Sequence, residues 1–167
     1  MLTQARLKEF LKYDPETGGF YRVKQAGRSG PPGSVVRTVH SKGYMTLGID
    51  GGEYLQHRLV WLYVHGRFPP ADIDHINGNR SDNRLANLRA ATRAENLQNK
   101  AMQSNNTSGQ VGVTWRANRG HWVAQIKTGG AHRYLGSFKT VDLAREAYLK
   151  AKAELHLFQP IPREMIT

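Results

Sequence analysis

Leu2, Leu7, Phe10 and Leu11 recur at helical spacing, which predicts a short opening helix. Asp14-Pro15 and Gly18-Gly19 then mark a turn. Residues 20–23, 35–39 and 44–49 are rich in β-branched and aromatic side chains and read as strands. A Gly/Pro loop at 27–33 separates the first two, and Asp50-Gly51-Gly52 turns the chain after the third. Leu55, Leu59 and Leu62 share one face of a helix expected over 54–65 and ended by Gly66. Phe68-Pro69-Pro70 breaks the pattern. A polar, Asn-rich segment at 72–99 follows, and then a linker at 103–109 without large apolar residues.

Beyond the linker the periodicity is cleaner. Val111, Val113 and Trp115 alternate with Gly112, Thr114 and Arg116, and Trp122, Ala124 and Ile126 alternate with Val123, Gln125 and Lys127. A third strand runs from His132 to Phe138. Thr140 and Asp142 suit the start of a helix. Val141, Ala144, Tyr148, Ala151, Leu155 and Phe158 form one apolar stripe along it. The expected unit is a three-stranded sheet with its apolar face on one helix. Its other face presents Thr114, Arg116, Gln125, Lys127, His132 and Tyr134. Such side chains can read base edges and phosphates, although a polar sheet face is often only solvated.

Charge favours the first alternative. The formal net charge is +11, and a basic chain of this size usually meets nucleic acid. Residues 1–103 carry 15 basic and 9 acidic side chains and residues 104–167 carry 9 and 4, so both halves are basic. Residues 17–49 and 96–141 contain no acid. A membrane surface would need a basic amphipathic helix, and none stands out. No apolar run approaches the roughly 20 residues of a membrane span, and no secretory signal is evident at the start. The expectation is a soluble protein of the cytoplasm. The absence of cysteine excludes disulfides and thiolate metal sites.

The segment with chemistry is Asp74-His75-Ile76-Asn77-Gly78-Asn79, followed by Asn83, Asn87 and Glu95-Asn96. Ile73 and Ile76 suggest a strand ending at Asp74 and His75, and Thr92 and Glu95 suggest a capping box with a helix from Arg93. A strand, loop, strand and helix over about 70–101 could bring Asp74, His75 and Asn96 together. Asp74 and Asn96 would offer hard oxygens to a magnesium-type ion. His75, titrating near neutrality, could take a proton from water. A simple turn would explain Asn77-Gly78 equally well. Two other metal readings fail. An EF-hand loop from Asp72 would place Ile76 and Asn83 at ligand positions where they serve poorly. His57 and His65 on one helix would stand roughly 12 Å apart. A capping or packing role suits His57 better.

His57-Arg58-Leu59-Val60-Trp61, the Asp74–Asn79 run, Asn83, Asn87-Leu88-Arg89 and Glu95-Asn96-Leu97-Gln98-Asn99 together resemble the phage and intron HNH homing endonucleases. That resemblance covers about 54–100. It implies a ββα-metal fold with His75 as general base and Asn87 bracing the loop. It also implies one divalent ion, Mg2+ or Mn2+, on Asp74 and Asn96, and products with a 5′-phosphate and a 3′-hydroxyl. Asn96 stands where the family often has His. A second resemblance, over about 109–158, is to the plant ethylene-response-factor (Apetala-type) DNA-binding domain. It implies that Thr114, Arg116, Gln125, Lys127, His132 and Tyr134 read the major groove. The plant pattern has Glu where Gln125 stands, so no target sequence carries over. The expectation is an α+β chain with an HNH nuclease at 1–103, including N-terminal antiparallel strands. A sheet-and-helix DNA-binding domain is expected at 104–167. Its partner is double-stranded DNA; no protein partner is implied, a monomer suffices, and a phage or mobile-element origin fits. The competing expectation is a DNA-binding regulator that keeps the fold without catalysis.

Overall fold

The computed structural model describes residues 1–25, 30–36, 38–39, 43–98, 106–156 and 158. They divide into two compact units, within Met1–Arg93 and within Ala94–Pro160. The elements are mixed α and β, and every strand pairing is antiparallel. The expected junction at 103/104 lies outside the described residues. Among those described, no helix is long and apolar enough to cross a membrane.

In the first unit, helix α1 (Gln4–Phe10) starts where Thr3 Oγ1 accepts from the Arg6 N–H at 3.2 Å. Leu11, expected on this helix, instead opens β1 (Leu11–Tyr13) and pairs with Arg22 of β2 (Phe20–Arg22). It remains buried, so its hydrophobicity was used by the sheet rather than the helix. β3 (Val35–Val36) adds to β2. The strand expected over 35–39 is divided between two sheets, because β4 (Thr38–Val39) pairs with β5 (Met45–Ile49). β5 also pairs with β6 (Gly52–Leu55). Tyr54 and Leu55 were expected on the next helix. Pairing with Leu47 and Thr46 keeps them extended, and α2 runs only over Gln56–His65. Gly66 ends it in the left-handed region. Leu7, Leu11, Phe20, Leu47, Leu59 and Val60 form the centre of the core, with Ile73 and Leu88 at its margin.

Ile73 belongs to β7 (Asp72–His75) and Leu88 to β8 (Leu88–Ala91), which follows a single 3-10 turn at Leu85–Asn87. β7 and β8 form a two-stranded ribbon in which Asp74 opposes Arg89 and His75 opposes Leu88. Helix α3 (Arg93–Gln98) begins at the division between the units, and its residues from Ala94 belong to the second.

The second unit contains β9 (Val113–Arg116), β10 (His121–Thr128) and β11 (Ala131–Phe138) in the order β11-β10-β9, followed by α4 (Val141–Leu155). Val111, expected in the first of these strands, precedes β9 and is exposed. Thr140 caps α4, accepting from the Leu143 N–H at 3.4 Å. Ala144, Tyr148 and Ala151 of the helix are buried with Val113, Ala124 and Ile126 of the sheet. α4 ends at Leu155, so Phe158 lies beyond the stripe expected to include it. A bulge near Ala124/Gln125 leaves Leu135 without a partner in β10. Tyr134 and Ser137 therefore face the same side, and their hydroxyls meet at 2.7 Å.

One glycine in the first unit fixes the position of the Asn-rich loop. Gly18 has φ +71, and a Cβ there would run into the backbone of Asn83 and Arg84. Gly18→Ala is expected to destabilise the protein by about 2 kcal/mol or more, since it adds both strain and a backbone clash. Urea denaturation followed by tryptophan fluorescence reads this directly; a change below about 0.5 kcal/mol would mean that the contact is dispensable.

Candidate functional site

β7 delivers Asp74 and His75 side by side, each only 5% exposed. Successive residues of a strand point to opposite faces, so the two side chains meet different neighbours. Cross-strand from Asp74, Arg89 donates from Nε and Nη2 to the single oxygen Oδ2, at 2.8 and 2.7 Å. A buried carboxylate needs such a partner, because desolvation without one is costly. The pair also fixes the direction of the carboxylate.

His75 is held from the loop. Its Nε2 lies 3.1 Å from Asn83 Oδ1, and Asn83 is 1% exposed. An amide oxygen only accepts, so the imidazole proton sits on Nε2 and the lone pair on Nδ1. Burial pushes the His75 pKa down, although the Asn83 bond and the charges of Asp74 and Asp82 oppose this. The ring is neutral at pH 7 and able to accept a proton. Its edge contacts are aromatic. The His57 ring lies 5.1 Å away, nearly perpendicular, and Tyr44 lies 6.1 Å away. Tyr44 also packs on His57 at 5.4 Å, with the Arg80 guanidinium 4.9 Å from its ring centre.

The loop between β7 and β8 is closed by its own polar side chains. Asn87 Oδ1 accepts from the Asn77 N–H at 3.0 Å, Asn87 Nδ2 donates to the Asp82 carbonyl at 2.8 Å, and Ile76 N–H donates to the Asn87 carbonyl at 2.9 Å. Arg84 grips both oxygens of Asp82 and holds that carboxyl below its usual range. From outside the loop, the Tyr13 hydroxyl donates to the Asn83 carbonyl and accepts from the Leu85 N–H. Gln56 Nε2 donates to the Gly18 carbonyl at 3.0 Å. Asn87 thus sits in the loop's hydrogen bonding, whereas Asn83 orients the histidine. The sequence reading named Asn83 and Arg89 within the motif but gave them no role, and it gave none to Tyr13 or Tyr44. The signal for Arg89 was present, since strand register alone sets it opposite Asp74.

Asn96 lies on α3 and is half-buried. Among the described residues no three His, Cys, Asp or Glu side chains group so as to hold a metal ion. An all-protein cage of the zinc type therefore does not fit those residues. A magnesium-type ion takes one or two protein oxygens and completes its shell with water and phosphate. An oriented, buried carboxylate such as Asp74 fits that requirement.

In the second unit, register places Thr114, Arg116, Gln125, Lys127, His132 and Tyr134 on one face of the sheet, where Gln125 opposes Tyr134 and Lys127 opposes His132. Arg116, Arg119, His121, Gln125 and Tyr134 line a hollow of about 400 Å³ on it. Arg119 and His121 were not expected there.

With that geometry in hand, residues 54–98 match the HNH endonuclease family, a span containing both β7–β8 and α3. The chain is also 32% identical over 102 residues to Protein 3.8 of Escherichia phage T7, covering 60% of this chain and 84% of that protein. It belongs to the same family as that phage protein. No solved structure gives a significant match.

His57 makes the site sensitive to acid. Burial drives its pKa down to about 3, with His75 and Arg58 adding to the effect. Its unfolded value is near 6.5, so below that pH the unfolded chain binds a proton that the folded one refuses. Stability should fall as pH drops from about 6.5, by up to about 1.4 kcal/mol per unit for this group. His75, lowered in the same direction, adds to the slope. Between pH 7 and 5 the carboxylates contribute little, so urea midpoints in this window isolate the histidines. The expected result is a falling midpoint, with a shallower slope in His57→Asn; identical slopes would show that His57 titrates normally.

Proposed function

We propose that the protein is a metal-dependent DNA endonuclease of the HNH type, in which His75 is the general base and Asp74 and Asn96 hold one Mg2+ or Mn2+ ion. The observation that carries this reading is a neutral, buried imidazole oriented by Asn83 and adjacent on β7 to an oriented carboxylate, inside the family match. The arrangement supplies what phosphodiester hydrolysis requires of the protein. His75 Nδ1 takes the proton from the attacking water while Asn83 holds the Nε2 proton in place. Arg89 keeps the Asp74 carboxylate aimed. The bound ion would stabilise the charge that develops on the leaving oxygen. Asn87 keeps the loop closed, so that Asn83 stays at hydrogen-bond distance. A ββα-metal arrangement of β7, β8 and α3, homing-type site preference, and products with a 5′-phosphate belong to the same proposal.

The sheet of the second unit serves as the DNA reader in this scheme, over about 104–167. Arg116 and Lys127 lie on one sheet face with no acid on any of the three strands. A face of that kind suits the phosphate backbone and base edges of duplex DNA.

Two measurements test these assignments. His75→Ala is expected to lower plasmid cleavage in Mg2+ by ~10²-fold or more, while leaving DNA affinity close to wild type; thermal stability should fall somewhat, because Asn83 Oδ1 loses its buried partner. Cleavage at the wild-type rate in that variant, or undiminished cleavage in EDTA, would refute the mechanism. For the reader, Arg116→Ala and Lys127→Ala should each weaken duplex binding. Loss of a phosphate contact should also reduce the log–log salt slope of the binding constant by about 1. An unchanged slope and affinity in the double variant would remove the sheet from the interface.

A further inference from the structure

Three carboxylates lie on β7 and the loop after it, and each faces an arginine: Asp72 with Arg93, Asp74 with Arg89 and Asp82 with Arg84. Arg80, in the same loop, is exposed and lies over an aromatic ring, its guanidinium carbon 4.9 Å from the centre of Tyr44. A tyrosine face attracts a guanidinium, and here the ring leads directly to the candidate base. Tyr44 stands immediately before β5, half-buried, and its ring packs on His57 at 5.4 Å and on His75 at 6.1 Å. The backbone at Arg80 is held on both sides. Asn79 Oδ1 accepts from the Ser81 N–H at 3.1 Å and from the Ser81 hydroxyl at 2.8 Å, and the Asn79 carbonyl accepts from the Asp82 N–H at 3.2 Å. Arg80 and Ser81 are thus the central pair of a tight turn. Burial is the main cause of the low His75 pKa, but the charge of Arg80 adds to it, so this cation stands within electrostatic reach of the ring.

We propose that Arg80 is a catalytic residue of the nuclease site, whose guanidinium, seated on Tyr44, contacts a non-bridging oxygen of the phosphate being cleaved. The proposal rests on the reading of His75 as the general base. In that reaction the water oxygen bonds to phosphorus and the bond from phosphorus to the 3′-oxygen breaks. His75 Nδ1 takes the water proton, and the 3′-oxygen acquires a proton from solvent. Negative charge grows on the non-bridging oxygens as the water adds. In the scheme above a single divalent ion offsets charge at the leaving oxygen, whereas two-ion sites clamp both the attacking and the leaving oxygen. A site with one ion therefore gains from a fixed cation on the side of the base. Arginine suits that position, because it stays charged at any working pH and its planar fork of five N–H donors matches phosphate. Seating on a ring restricts the long side chain before substrate arrives, so less freedom is lost in forming the contact.

The test is single-turnover cleavage of supercoiled plasmid by the full chain in Mg2+, with rates compared at saturating protein. Arg80→Ala, and Arg80→Met, which keeps the stem over the ring, should each lower the rate by ~10²-fold, the scale for losing one preorganised donor. Arg80→Lys should keep part of the rate, since it holds the charge without the fork. Metal-free duplex affinity in a gel shift should change by less than ~threefold, because the contact strengthens only as charge develops. Thermal unfolding should be unchanged, because position 80 is exposed. Added guanidinium ion should restore part of the rate to Arg80→Ala and none to His75→Ala, with equal KCl as the control. Cleavage by Arg80→Ala within ~threefold of wild type would overturn the proposal. So would an equal loss in Arg80→Lys and Arg80→Ala without rescue by guanidinium, or a loss seen only below saturation. His75→Ala separates the two levels. If it cleaves at the wild-type rate, the base assignment fails and the proposal for Arg80 falls with it. If it is inactive while Arg80→Ala cleaves normally, only the proposal for Arg80 is overturned.

Discussion

The hydrogen bond between Asn83 and His75 is the constraint around which the first unit is organised. An imidazole that is to act as the base proposed for His75 must be neutral and must point its lone pair outward from its support. Burial supplies neutrality by penalising the imidazolium. Burial alone would leave the ring free to adopt either tautomer. Asn83 Oδ1 removes that freedom by demanding a proton on Nε2. The amide must itself be immobile, and it is almost wholly enclosed. Its backbone is fixed by Tyr13 at the carbonyl and by the Gly18 turn pressed against Asn83 and Arg84.

That support has a local cost. Gln56 Oε1, His57 Nδ1 and Asn83 Nδ2 are buried without a hydrogen-bond partner among the described residues. Each such atom typically destabilises a fold by about 1–3 kcal/mol. Two of these three belong to residues touching His75, and the third belongs to the residue that bonds Gly18. Unsatisfied groups gathered around one ring, while the loop a few residues away is densely satisfied, fit the chemistry proposed for His75. His57 illustrates the trade. Its ring packs edge-to-face on His75, a contact that an aliphatic residue could not direct as well, and its nitrogen is left unpaired.

Periodicity made the second unit readable. The apolar stripe of α4 and the Thr140 cap reflect local rules, and helix and sheet meet as those rules require. The first unit was harder because its strands are two to five residues long. In such strands a leucine at helical spacing, such as Leu11 or Leu55, serves a sheet as readily as a helix, and only tertiary pairing decides. The candidate site divides similarly. Asp74 and His75 were visible because chemistry restricts their types. Asn83 was visible only as one asparagine among several, since local sequence does not say which amide reaches the ring. Tyr13 was invisible, lying 70 residues from the carbonyl it caps.

The bulge in β11 shows why a sheet's polar face is harder to read than its core. Strict alternation would put Tyr134 and Ser137 on opposite faces. The extra residue, Leu135, reverses the parity, so Ser137 joins the polar face and stands against the Tyr134 hydroxyl. Leu135 meanwhile packs on both core clusters. The core thus gains an apolar side chain while the open face gains a polar pair, and one irregularity in register accounts for both. Gly136, with φ +139, permits it. The same reversal brings Ser137 alongside Arg116 and Gln125 around the basic hollow. A hydroxyl pair next to cationic and amide groups gives that face donors with several reaches and charges, the chemical variety that the proposed reading of duplex DNA would draw on.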